Sequence, residues 1–523
     1  MMLNPDKEKL STFHLFGVAH STFQNFENMR NIMNIKHIIL ALIMTGAFFS
    51  CSEFEEMNTN PNEPTTVSAD VLLPSAIRQS VNTMAMESFL LGNNAAQLTA
   101  KTLRTEIDDY RWNAFPTVWE GMYESLTDIR GVETLAIASG NQALEGAAVT
   151  LRSWVFSVLT NAYGDIPYSE AIAGAENNFT PAYDSQDEIY ADLLSELSRA
   201  ETLLASGSGS IDGDILLGGD ASLWRKFANS LRLRLLMTAN NQLANAGTEF
   251  ASIVNAGNII SSNADNVALG YLSGFPNQFP TIPLKTGDFD AVALSSTLYG
   301  VMDANQDPRL SRYARPDNDD YSTPTFVGAD NGAGSTCSST GSRLGAIYFN
   351  DAAQTSAASL GLNSPEGIIM TYAEVEFLLA EAAAKGWITN DIETHYQNGI
   401  QASMDYYQVD YAPYGWADFS DFYANSGVAY AAVTDIWEQK WQALFFHGLE
   451  PYFEVRRWYF ESGMSFDGIP FLGPTCENSN NDNLPLRFLY PGEEQSLNAD
   501  NYNAAIANLD GGNDFNAATW LVK

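Results

Sequence analysis

Three short stretches of this 523-residue chain combine the side chains that hold a polyhydroxylated ring. Such a ring offers a C–H-rich face that packs on a flat aromatic, and hydroxyls that bond amides, carboxylates and guanidiniums. The densest stretch contains Arg104, Asp108, Asp109, Tyr110, Arg111, Trp112 and Asn113. It falls between two helical patterns, so a loop with an exposed Trp112 is expected. The second group is Phe275, Asn277, Phe279 and Tyr321. The third is Tyr411, Tyr414 and Trp416, in a segment broken by Pro413 and Gly415. From these groups Arg104, Tyr110, Trp112, Asn113, Phe275, Tyr321 and Trp416 are the candidate ligand contacts. The competing reading for each is plain packing.

Catalytic chemistry finds fewer residues. Beyond residue 51 only His395 and His447 occur. That excludes a three-histidine metal site and leaves two bases for any Ser–His–Asp arrangement. There is no nucleophile elbow, phosphate-binding loop or CxxC pair. A glycoside hydrolase needs two carboxylates, and among 63 Asp and Glu no spacing marks a pair. Asp303, Asn305 and Asp307 alternate like calcium ligands but lack the Gly and Glu of an EF-hand. The run Asp510-Gly511-Gly512-Asn513-Asp514 is of similar strength. The expectation is a non-enzyme without a cofactor, with calcium as the alternative.

These loops need a frame, and the pattern around them is helical. Phe115, Val118, Trp119, Met122, Leu126, Ile129 and Val132 recur at three- and four-residue steps, as do Leu144 to Leu159, Ile189 to Leu204 and Leu223 to Leu236. Trp119, Trp154, Ile189 and Trp224 stand 35 residues apart. That is close to the tetratricopeptide period, although one longer helix fills each period where that repeat has two. From about 258 to 365 the helical periods vanish and Gly, Asn, Asp, Ser and Thr dominate, with interspersed aromatics; a loop of that length is usually functional. Helices return with a capping-box pattern at Thr371 and Glu374 closed by Gly386, then near 393–406 and over 433–446. Arg456 and Arg457 follow, with a buried ion pair to a carboxylate as the expected role. The tail from 463 is loop-rich, with a short helix at 501–508.

The net charge of −37 argues against nucleic acid and anionic lipid and disfavours polyanionic substrates. The apolar run from Leu40, with Lys36 ahead of it, is too short to span a membrane and reads as a signal-peptide core. It ends at Ser50-Cys51, the arrangement a lipid-modified cysteine needs, with Phe48 where such boxes have Leu. Residues 1–32 look like a mis-called start, so 1–50 are set aside. Cys337 and Cys476 remain, able to pair in an oxidising compartment.

In order along the chain, Asn58 to Asn62, Ala162-Tyr163-Gly164-Asp165-Ile166-Pro167-Tyr168-Ser169-Glu170-Ala171, Asp307-Pro308-Arg309-Leu310, Thr371 to Ala382 with Gly386-Trp387, Trp437 to Gly448 followed by Arg456-Arg457-Trp458, and Tyr490-Pro491 with Glu494 resemble the motifs of SusD/RagB-like outer-membrane lipoproteins of Bacteroidetes. The resemblance implies a mostly α fold: one domain over 51–523 with a tetratricopeptide-like helical scaffold (about 66–257 and 366–460). Long irregular insertions (about 258–365 and 461–523) form the ligand-binding face. It also implies a lipid-anchored protein on the outer face of the outer membrane, acylated at Cys51, with Glu53, Glu55 and Glu56 as an export tag. Its expected role is to capture oligosaccharides and deliver them to a SusC-like TonB-dependent barrel. Peptide capture and a secreted glycoside hydrolase are the alternatives.

Overall fold

Trp119, Trp154, Ile189 and Trp224, the residues that mark the 35-residue spacing, are all buried, each on its own helix. The computed structural model describes residues 67–523 apart from 333 and 350–352; Cys51 and the leader lie outside the described residues. The chain opens with α1 (Ala69–Glu87), α2 (Pro116–Ser139), α3 (Gln142–Tyr163), α4 (Gln186–Ser206), α5 (Ala221–Thr238) and α6 (Ala246–Ala256). Each of these packs on the one before it. Their ends follow local chemistry. Pro116 opens α2 and Gly140, at φ +68°, closes it. The side chains of Asn141 and Asp220 accept from backbone N–H groups at the starts of α3 and α5. In α3 only Gln142, Glu145 and Arg152 escape burial, so this helix is the axis of the core.

A second set follows α7 (Ser296–Ala304): α8 (Tyr372–Ala384), α9 (Ile392–Tyr406), α10 (Val433–Ala443) and α11 (Glu450–Glu461). Helices α8, α9 and α10 pack mutually, and α8 also meets α5. Three antiparallel strand pairs accompany the helices: β1 (Thr99–Lys101) with β5 (Val292–Leu294), β2 (Ile166–Pro167) with β3 (Tyr183–Asp184), and β4 (Val267–Gly270) with β6 (Glu366–Met370). Contacts gather Ser68–Lys523 into one unit. Among the described residues no helix is long and apolar enough to cross a membrane.

Several expectations need correction. The 258–365 stretch is not structureless: it holds β4, β5 and α7. Helix α1 carries Pro74 in its second turn, which masked it in the sequence. Helix α11 is buried from Glu450 to Tyr459, so it shows no polar face to betray a period. Thr371 caps α8 by accepting from Glu374 N, but the reciprocal bond of a capping box is absent. The Glu374 carboxylate instead takes a bidentate pair from buried Arg234.

The Tyr163–Glu170 segment is a joint. Tyr163 Oη donates to Phe115 O, and Asp165 accepts from Gln186 N at the start of α4. Gly164 sits at φ +89°, where a Cβ would lie 2.9 Å from Thr519 Cγ2. Arg457 pairs with Glu381, Glu454 and Glu461. Arg456 departs from the expected ion pair and donates to the carbonyls of Asn161 and Leu486.

Candidate functional site

The strand pair β4–β6 floors a cleft of about 400 Å³. Ala268, Glu366 and Ile368 come from the strands; Asp405 and Tyr406 end α9, with Tyr407 and Gln408 just beyond; Arg312 and Tyr348 come from the irregular region. A second pocket of about 160 Å³, lined by Tyr271, Leu272 and Phe279, shares the wall Leu362–Pro365 with the first. Beside it a turn closed by Leu272 N donating to Asn277 O carries Phe275, 84% exposed.

Backbone geometry holds this wall in place. Gln408 takes φ +51°, a left-handed conformation uncommon outside glycine. Arg312, itself buried, donates to the carbonyls of Tyr407 and Gln408 and so fixes the turn. Gln408 Oε1 accepts from Asn363 N at 2.9 Å, tying turn to wall. Asn263 donates to Ala402 O, and Asn266 accepts from Tyr372 N. Tyr406 Oη donates to Glu366 at 2.9 Å; burial and that carboxylate hold the phenol far above its ordinary pKa. Partial desolvation at the cleft pushes the Asp405 carboxyl up, and burial pushes the Arg312 guanidinium down. The cleft therefore offers exposed Asp405, Asn363 and Gln408 beside aromatic rings, a set that suits a neutral hydroxylated ligand. A pocket of about 390 Å³ on α2 and α3 differs, because Arg152 pairs with Glu133 and Glu196, and Arg130 with Glu176.

The SusD-like family profile described as starch-binding, associating with outer membrane, matches residues 61–491. The chain belongs to the SusD-like family. Solved structures agree in fold. A SusD homologue of Bacteroides fragilis is 24% identical with TM-score 0.71, over 88% of this chain and 100% of its own. A candidate outer-membrane nutrient-binding protein of Bacteroides vulgatus is 25% identical with TM-score 0.72, over 87% and 100%. A chitin-binding SusD homologue of Flavobacterium johnsoniae is 20% identical with TM-score 0.70, over 86% and 98%. Among curated proteins none matches at a significant level.

In this SusD-like chain the early loop is not the aromatic platform expected. Trp112 is 4% exposed: its ring lies edge-on to Phe115, Tyr452 and Phe488, and Nε1 donates to Ile107 O. Tyr110 is fully buried, with its hydroxyl on Ala95 O. The cause is local. Residues 105–111 coil back on themselves, Asp108 N and Asp109 N on Thr105 O and Arg111 N on Glu106 O, so the rings turn inward. Arg104 and Asn113 remain exposed, as does Arg111, paired with Asp109. Trp416 is half-buried, its Nε1 on Gln306 O; Tyr414 bonds Ser311, and Tyr411 reaches Met404. Tyr321 is half-buried. Of the candidates, Phe275 stands beside a pocket, and Phe279 of the same group lines it.

Three of the residues weighed for calcium already have protein partners. Asp307 is buried with both oxygens on Arg309, which also reaches Gln439 and Gln442. Asn513 Oδ1 accepts from Arg487 and Tyr490 N, and Asp514 from Asn516 N. Cys337 and Cys476 are disulfide-bonded, pinning the irregular region to the tail. Asn263, Asn266, Arg312, Asn363, Asp405, Tyr406 and Gln408 escaped the sequence reading. The one local signal was a Tyr-Tyr-Gln ending at a helix terminus.

Proposed function

We propose that this protein is a non-catalytic, lipid-anchored surface protein that captures oligosaccharides and passes them to a SusC-like TonB-dependent barrel. The observation that carries the reading is the double cleft with its exposed amides, Asp405 and the neighbouring Phe275, set on a SusD-like scaffold. Aromatic faces and amide groups on rigid walls suit neutral sugar rings. The chitin-binding homologue of Flavobacterium johnsoniae and the starch-binding description of the family support the same ligand class. Anchoring would run through acylated Cys51, with Glu53, Glu55 and Glu56 as the export tag.

Two readings compete. Peptide capture by the same cleft would place backbone amides on Asn363 and Gln408. Hydrolysis would call on Asp405 and Glu366, which both line the cleft; Glu366, however, already accepts from Tyr406. Incubating the purified protein with a panel of polysaccharides and peptides separates the three. Binding to a glycan without new reducing ends is the expected result. Release of reducing ends overturns the capture reading, and binding to peptides alone overturns the ligand class. Co-purification of a large barrel from the native outer membrane tests the partner.

A further inference from the structure

Asp108 is completely buried where the early loop folds back under β1. Its Oδ2 accepts two hydrogen bonds, from Lys101 N at 2.6 Å and from Asn331 Nδ2 at 3.1 Å. Its Oδ1 is equally buried and accepts none from the described residues, and the same holds for Asn331 Oδ1. The amide orientation of Asn331 is settled by Nδ2, which also donates to Thr99 O at 2.7 Å; flipped, it would set oxygen against oxygen. Two neighbouring side chains thus each leave one buried acceptor unmet. Such groups are rare, and each calls for a donor.

We propose that Asp108 is carried as the neutral acid and donates its Oδ1–H to Asn331 Oδ1, making a cyclic acid–amide pair whose ionisation loosens the early loop. One proton then meets both empty acceptors. Burial pushes the Asp108 carboxyl up to about 7, against opposing pulls from its hydrogen bonds and from Lys101. The charged groups around it come from each neighbouring element. Lys101 lies on β1, its ammonium over the Phe89 ring. Arg104, Glu106 and Asp109 lie on the loop, with Asp109 taken by Arg111. Glu87 closes α1 and is bonded by Thr117. Asp330, beside Asn331, is held by Ser296 and Ser338.

The pair sits at a junction. Asn331 O accepts from Cys476 N at 2.7 Å, and Asp109 O from Ser479 N at 2.8 Å. The early loop, the 331 segment and the disulfide-linked tail therefore meet around one ionisable proton. Above neutral pH its loss leaves both buried oxygens again without a hydrogen, and the junction slackens.

The test uses soluble protein carrying Cys51→Ala. Asp108→Asn keeps both bonds, because the new amide donates to Asn331 Oδ1, but it cannot ionise. Infrared difference spectra between the two proteins at pH 6 should show a protonated-carboxyl stretch present only with Asp108 and lost near neutral pH. Amide exchange at residues 101–111 should accelerate with rising pH beyond its rate in Asp108→Asn. If Asp108 is instead an ionised group bridged by a trapped water, the difference is a carboxylate band at every pH, and the proposal falls. Should Asp108→Asn not fold, Asn331→Leu provides the second measurement. The acid O–H then loses its acceptor and the protonated-carboxyl band must move; an unmoved band overturns the pair.

Discussion

Removing the Cys337–Cys476 disulfide should destabilise the protein measurably. The bridge spans 139 residues of sequence and joins the irregular mid-chain region to the tail. In the chain-entropy model a loop of that length removes about 17 cal/mol/K from the unfolded ensemble, or about 5 kcal/mol at 25 °C. The native state has little to lose in return. Asn331 O still accepts from Cys476 N, and Thr336 still bonds Glu477, after the sulfurs part. The effect therefore falls on the unfolded chain. With an unfolding entropy of about 2.1 cal/mol/K per residue over the Ser68–Lys523 unit, the loss amounts to a Tm lower by about 5 °C. Thermal unfolding of Cys51→Ala protein and of the same chain with Cys337→Ser and Cys476→Ser measures it. A reductant should lower the first melt and leave the second alone. A serine variant that melts within about 1 °C of a parent shown to be free of thiols refutes the reasoning, because loop closure of this length cannot be so weak.

Trp112→Ala should cost about 3–5 kcal/mol of stability, as for other buried Trp truncations, while the folded fraction keeps its glycan affinity; denaturant unfolding and titration calorimetry read the two separately. Phe275→Ala, at an 84% exposed ring, should leave Tm unchanged and weaken glycan binding about 2- to 12-fold, the worth of one aromatic face at about 0.5–1.5 kcal/mol. Burial raises Glu450 from 4.5 to about 7, so the folded state binds its proton more tightly than the unfolded one does. The stability this contributes is complete below the unfolded pKa and disappears as pH rises through about 7. Glu450→Gln should accordingly flatten the Tm–pH curve across that window, and a variant curve parallel to the parent's would count against it.

Helices α2 to α5 were legible because their apolar residues recur at three- and four-residue steps and each packs on its sequence neighbours, which is the case periodicity detects. The caps read from the sequence were local too: Thr371 ahead of α8 and Gly386 just behind it. What escaped were elements whose signal is not one-sided. Helix α11 is buried on all sides and carries Arg457 inward to three glutamates, so its sequence shows no one-sided period. Strands β4 and β6 lie about a hundred residues apart in sequence and exist only as a pair.

The site escaped for a different reason. Trp112 and Tyr110 have the composition of a sugar platform, but composition does not say which way a ring points. Here the coil of residues 105–111 turns Trp112 onto Tyr452 and Phe488 and buries Tyr110 with its hydroxyl on Ala95 O. The cleft is built the opposite way. Its polar groups are scattered from Asn263 to Gln408, and no two of its walls are fastened by neighbours in sequence: Gln408 is tied to Asn363, Arg312 to Gln408, and Tyr406 to Glu366. Such a set becomes a site only once the β4–β6 pair and the end of α9 have brought it together. If the cleft is the binding site proposed above, ligand preference should change through single substitutions at 363, 405 or 408 that leave the scaffold untouched, since two of the family-like motifs, Tyr163 to Glu170 and Asp307 to Leu310, bond to the frame.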